Sequence, residues 1–164
     1  MENILTFLTG TWFICFSNFP MWTKGDKINP TFNYEIMENR KDNNMLSDEV
    51  RYIKNGKEKS IKGIDTQSAS DSTAFVWRGK GLLKPLSSKW KVALIDEENG
   101  EWAVIYFSKT LFTPEGVDII SKNNSLSNAV WEQIRLRISA DPLLAKHLPE
   151  IKDIRNRNNK HDGM

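Results

Sequence analysis

The chain holds one cysteine, Cys15, and two histidines, His147 and His161, both near its C-terminal end. A single cysteine excludes an internal disulfide, and the reducing interior of a cell, the cytoplasm, is the compartment this usage suggests. Zinc or iron needs several His, Cys or carboxylate ligands within reach of one another, so no metal centre and no cofactor are expected. Charge of one sign is lacking too: 23 basic side chains face 21 acidic ones, for a formal charge of +2. The two signs are interspersed, which argues against nucleic acid or an anionic membrane as partner. No apolar run approaches the roughly 18 residues of a membrane span. The first ten residues carry no basic segment ahead of an apolar one, so no leader is expected.

What the chain does have is aromatic bulk in a polar background. Six tryptophans and eight phenylalanines accompany 27% charged residues, with a mean hydropathy of -0.51. Its 164 residues suit one domain with one substantial core. Residues 1–150 form that domain, and 151–164 read as a polar, frayed tail.

The spacing is mostly that of strands. Over residues 11–17, Trp12, Ile14 and Phe16 share one face, and Phe13 and Cys15 the other. Gly10 stands two residues ahead of Trp12, an arrangement by which a rigid indole can close the end of a barrel. The loop 18–30 carries Phe19, Met21 and Trp22, which are costly to leave in water. Alternation resumes at 32–37 and 46–53 across the polar turn 39–44, and Asn55-Gly56 is a strong hairpin signal. Further strands fall at 60–66, 73–77, 89–96, 101–109 and 117–121. In the clearest of them Trp102, Val104 and Tyr106 face one way, and Ala103, Ile105 and Phe107 the other. A meander of about eight strands must stack as two sheets or close on itself to protect its edges. From Ser125 the period lengthens: Val130, Ile134 and Ile138 mark a helix, capped by Ser127 or Ser125 and ended near Pro142.

Gly10-Thr11-Trp12, the lid-like stretch through Phe19-Pro20 and Trp22-Thr23-Lys24-Gly25, and the helix after the last strand resemble the lipocalins, most closely the small bacterial ones. Lys122 stands where that family has an arginine, and can cap the Trp12 indole by cation–π attraction. Gly100-Glu101-Trp102 matches the family's second signature in position and character only. The resemblance implies an all-β fold: an eight-stranded antiparallel up-and-down barrel with a C-terminal α-helix packed outside. It also implies a small hydrophobic or amphipathic ligand, fatty-acid-like or lipid-like, inside.

Gly10, Trp12 and Lys122 are then the structural floor. Phe19, Met21 and Trp22 are candidate mouth residues, with ordinary core packing or a protein contact as their other readings. Tyr34, Phe75, Trp77, Trp90 and Tyr106 are placed near the cavity, each with plain packing as the alternative. Arg78 and Lys80 could meet an anionic headgroup, or belong to a solvated loop. Cys15 reads as a buried, inert thiol. Binding or transport of a small apolar molecule is the leading function. The alternative is an isomerase, hydratase or decarboxylase using Tyr34, Tyr52, Tyr106 or Arg78 in the same cavity. Asp65 with Asp71, or Glu35 with Glu49, could pair for acid–base work, but nothing in the sequence sets that geometry. A hydrogen-bonded acid or Tyr pair of perturbed pKa inside the cavity would favour the enzyme. A filled barrel whose lid docks another protein is the third possibility.

Overall fold

Strand β1 (Gly10–Ser17) pairs antiparallel with β2 (Ile28–Ile36) on one edge and with β8 (Gly116–Ser121) on the other. Between them β3 (Met45–Lys54), β4 (Lys57–Gln67), β5 (Ala74–Gly79), β6 (Ser87–Ile95) and β7 (Trp102–Phe107) each pair with the next in chain order. The meander therefore closes into an eight-stranded antiparallel barrel, which removes the free edges of an open sheet. These positions come from a computed structural model that describes residues 3–38 and 44–155. Most of the polar turn 39–44, His161 and the end of the chain from residue 156 lie outside the described residues. Asn55 and Gly56 both have positive φ, at 53° and 72°, and make the two-residue turn that their types favour. No described helix is long and apolar enough to cross a membrane.

The closed sheet divides the apolar residues into an inner and an outer core. Helix α1 (Ile4–Leu8), capped by the Asn3 side chain on Leu5 N, plugs the lower end. Leu8 and Trp12 are fully buried, and Trp12 Nε1 donates to Leu8 O at 2.8 Å. Lys122 Nζ lies 5.6 Å from the centre of the Trp12 indole. Gly10, at φ 120°, leads the chain from α1 into β1 in a conformation that a side chain would strain. Outside, helix α3 (Asn128–Ala140) starts at Ser127, whose hydroxyl accepts from Val130 N. Its Ile134 and Ile138 are fully buried in one cluster with Val104 and Ile119. Arg137 ties the helix to the wall by donating to Ile95 O at 2.9 Å while lying over Trp102.

Two bulges override the simple alternation. Between Ile14 and Phe16 the β1–β8 register slips by one, leaving Cys15 as the extra residue. Phe16 therefore turns outward rather than sharing the face of Trp12 and Ile14, and stacks on Trp131 at 3.9 Å. A second slip between Val92 and Leu94 likewise puts Val92 in the inner core and Leu94 against the outer one.

Residues 151–155, assigned to the tail by their polarity, are docked on the wall. Strand β9 (Lys152–Asp153) pairs with Phe16 and Ser17 of β1, and Ile154 is buried. Arg155 lies over the Phe16 ring and donates to Leu126 O at 2.8 Å.

Replacing Trp12 by Ala removes the largest group of the floor and its bond to α1. Urea unfolding should show a loss of about 3–5 kcal/mol. Lys122→Gln should cost only about 0.5–1 kcal/mol, the worth of an exposed cation–π contact.

Candidate functional site

The barrel is filled below and hollow above. Trp12, Leu46 and Phe75 are all but fully buried and close off the lower half. Over them lies a cavity of about 490 Å³ that opens among the loops at the other end. Its size is that of a small-molecule site, and its wall is mainly aromatic and aliphatic.

Helix α2 (Pro20–Thr23) sits in the mouth. Proline at its first position presets φ for the turn. Phe19, Met21 and Trp22 all line the cavity. Trp22 is 3% exposed and meets Tyr52 of β3 edge-on at 5.8 Å. Phe19 meets Phe107 edge-on at 5.2 Å and covers Gly116, where a Cβ would overlap its ring. Met21 remains 37% exposed at the rim, with Phe112 of the β7–β8 loop beyond it. The lid is thus seated by its aromatics while its edge stays open to solvent.

Tyr34 and Trp90 form the bottom of the cavity and Trp77 part of its side. The Trp90 indole is stacked between Phe75 at 4.5 Å and Tyr34 at 5.9 Å. Phe75 is therefore filling beneath the cavity rather than part of its lining. Tyr106 lies on the outer face, and Phe107 takes the place on the wall that was expected of it. Both facings were legible, since the two residues are adjacent on one strand. The choice between faces needed the position of α3.

Arg78 and Lys80 do not reach the cavity. Arg78 follows the inward Trp77 on β5, so it points outward, and its guanidinium donates to Lys84 O at 3.4 Å. Lys80 is exposed in the next loop. No Lys, Arg or His of the described residues lines the cavity.

What reaches inward instead is acid. Asp48 of β3 and Asp118 of β8 line the cavity, and Asp65 of β4 lies directly behind. They are 7%, 1% and 0% exposed. Asp118 accepts from Ser17 Oγ at 2.6 Å, and Asp65 Oδ1 accepts from Trp90 Nε1 at 2.9 Å. Asp48 and Asp65 face each other as a coupled pair. No N–H or hydroxyl of the described residues reaches Asp48 Oδ1 or Asp65 Oδ2. Burial pushes both carboxyls above the usual range, and Asp65 furthest, because the Asp48 charge adds to the burial. Burial pushes Asp118 up to about 7. Burial and the charges of all three acids hold the Tyr34 phenol protonated. The sequence offers Asp71 as a partner for Asp65, but Asp71 lies on the surface, accepting from Thr73. The signal for the true partner was phase: Asp48 falls between Leu46 and Val50 on the inward face of β3.

Outside the barrel a second polar cluster joins the wall to the C-terminal segment. Glu115 receives Lys146 Nζ and His147 Nε2, each at 2.7 Å, and also the Tyr106 hydroxyl. These partners hold the Glu115 carboxyl down at about 2. Asn18 donates to His147 Nδ1 at 3.0 Å, which leaves the ring proton on Nε2, facing Glu115. Burial raises the Cys15 thiol to about 12, so it is no nucleophile at neutral pH.

This closed barrel, capped below by α1 and flanked by α3, is a lipocalin-like fold. The siderocalin Ex-FABP superposes with a TM-score of 0.66 at 12% identity, over 91% of this chain and 94% of that one. Insecticyanin from the tobacco hornworm Manduca sexta gives 0.68 at 13% identity, over 92% and 79%. A deswapped bovine odorant binding protein gives 0.58 at 13% identity, over 93% and 97%. No protein-family model matches the sequence, and no curated protein does.

The buried acids carry a pH signature. A carboxyl whose folded pKa lies above its unfolded value binds more protons in the native state. Stability is then greatest near pH 4 and is lost as pH rises through about 7, the folded value at Asp118. Urea unfolding at pH 5 and pH 8 should differ by on the order of 2–4 kcal/mol in favour of pH 5. Asp118→Asn should flatten that difference, and an unchanged slope would place the titrating group elsewhere.

Proposed function

We propose that the protein binds and carries a small hydrophobic or amphipathic molecule in the upper half of its barrel. The observation behind this reading is the cavity itself: about 490 Å³ lined by Trp22, Phe32, Trp77 and Phe107 and left empty by the described side chains. Water there has few partners, so an apolar occupant gains about 25 cal/mol for each Å² it buries, less the cost of ordering it. The rigid aromatic wall is already formed, which keeps that cost low. A siderocalin with dual ligand specificities and an odorant binding protein share this fold, which supports the reading. The likeness of the first strand and lid to small bacterial lipocalins supports placing the chain nearest to them.

Protein purified from its own cells should release a small molecule on denaturation, seen by native mass spectrometry and identified after extraction. Val50 faces the cavity from β3, so Val50→Trp should fill it. That variant should weaken binding of an apolar fluorescent probe by at least ~10-fold. Equal probe binding by the filled variant would put the site somewhere other than the barrel.

A second reading, an acid–base enzyme, is favoured by the Asp48–Asp65 pair. Two buried carboxyls that hydrogen-bond each other and are both pushed above the usual range can hold and pass a proton to a bound substrate. Of the residues first considered for it, only Tyr34 is positioned to take part. Tyr52 backs the lid, and Tyr106 and Arg78 face outward. The extracted molecule, incubated with fresh protein and examined by chromatography and mass spectrometry, should return unchanged if the protein is a carrier. A product would establish the enzyme instead.

A further inference from the structure

We propose that the open end of the barrel docks on an anionic lipid surface, with Leu82, Leu111 and Phe112 entering the bilayer and the lysines beside them meeting its headgroups. Docking of this kind goes beyond the cavity reading and does not depend on it.

An antiparallel meander sends its loops alternately to the two ends of the barrel. Those after β1, β3, β5 and β7 surround the mouth, and those after β2, β4 and β6 lie at the floor. Charge follows the same division. The described residues of the floor loops include Glu38, Asp71, Asp96, Glu97, Glu98 and Glu101 and no basic side chain, with Lys122 beside them over Trp12. In the mouth loops Lys24, Lys80, Lys84 and Lys109 are all exposed. The acids of those loops are already engaged. Asp26 receives Lys54 at 3.5 Å, and Glu115 receives Lys146 and His147. In the linear sequence the interspersed signs and a net charge of +2 argue against an anionic membrane. The fold sorts those signs into a basic end and an acidic end.

Apolar exposure gathers at the basic end. Leu82 is 100% exposed, Leu111 95% and Phe112 79%, with Met21 and Leu86 each 37% exposed at the rim. Of the large apolar side chains exposed among the described residues, only Val76 and Leu136 lie elsewhere. Leu82 stands on a tight turn, Gly81–Leu83, between Lys80 and Lys84. Leu111 and Phe112 follow Lys109 in a turn held by Thr110 Oγ1, which accepts from Phe112 N at 3.1 Å and Thr113 N at 2.9 Å.

A patch of this kind left in water marks a contact surface. Its tips stand on separate loops around an open hollow, not on one flat face. A fluid bilayer admits separate tips, whereas a folded partner must match their spacing. The lysines keep their ammonium groups at the phosphate level while their stems follow the apolar tips inward. The same surface repels the acidic floor, so the barrel lands mouth first. An apolar ligand then passes between acyl chains and cavity without crossing bulk water.

Sedimentation of the full chain with vesicles tests this. Phosphatidylcholine vesicles holding about 30% phosphatidylserine should bind it at least ~10-fold tighter than phosphatidylcholine alone at about 0.1 M salt, and the preference should shrink at about 0.5 M. Leu82→Ser with Leu111→Ser, and Lys84→Glu with Lys109→Glu, should each weaken binding to the anionic vesicles by at least ~10-fold. Cys15 is buried, so an environment-sensitive dye can be placed on a new thiol. On Leu111→Cys it should shift to the blue when anionic vesicles are added, and on Glu98→Cys it should not. Equal binding to the two kinds of vesicle, or a blue shift at the Glu98 position instead, would overturn mouth-first docking. Binding to neither would overturn it too and leave the rim to a protein partner. The cavity reading survives either failure, since none of the substituted residues lines the cavity.

Discussion

Hydrogen bonding on both edges of β1 is the constraint from which the rest of this molecule follows. One strand serving two neighbours turns a linear meander into a wall with an inside. Residues then sort by parity: Trp12, Ile14, Tyr34 and Trp90 go inward, and Val104, Ile119 and Tyr106 go outward to meet α3 or the segment behind it. The inner set is too small to fill the space it encloses. The lower half is packed by α1, Trp12 and Phe75, and the upper half is left open. Shape rather than any single side chain creates the site, and the lid residues then tune its entrance.

Placing acid in that space runs against stability. Three carboxyls with 7% exposure or less must be neutralised or supplied with donors, and each charged form pays in lost hydration. The chain answers with two internal donors, Ser17 and Trp90, while burial and the Asp48 charge push the Asp65 carboxyl well above the usual range. A wall of Leu or Val at the same positions would be more stable.

Much of this was legible in the residues. The strand rhythm, the Asn55-Gly56 turn, the plug at Trp12 and the outer helix from Ser127 all follow from local spacing and are all observed. Phe16 was misplaced because a bulge inserts one residue and inverts the alternation beyond it, and nothing in the sequence marks Cys15 as that residue. Arg78 and Lys80 drew notice as charge near an expected mouth, yet strand parity turns them to solvent. The acids were harder to read, since an aspartate on a strand is ordinarily exposed. Only knowledge of which parity faces inward separates Asp48 from Glu49. The docking of 151–155 was hidden by polar composition, because its two-residue strand is held by backbone bonds and its one apolar anchor is Ile154.

That short terminal strand has a further consequence. Strand β2 pairs with β1 only as far as Phe13, and β9 takes the same side of β1 at Phe16 and Ser17. It works as a splint along β1 beyond the end of its pairing with β2. Without it, a ribbon of unsatisfied amides would stand bare beside the entrance, ready to recruit an extended segment from another molecule. A chain clipped before Lys152 would thus keep its container and lose its guard against self-association.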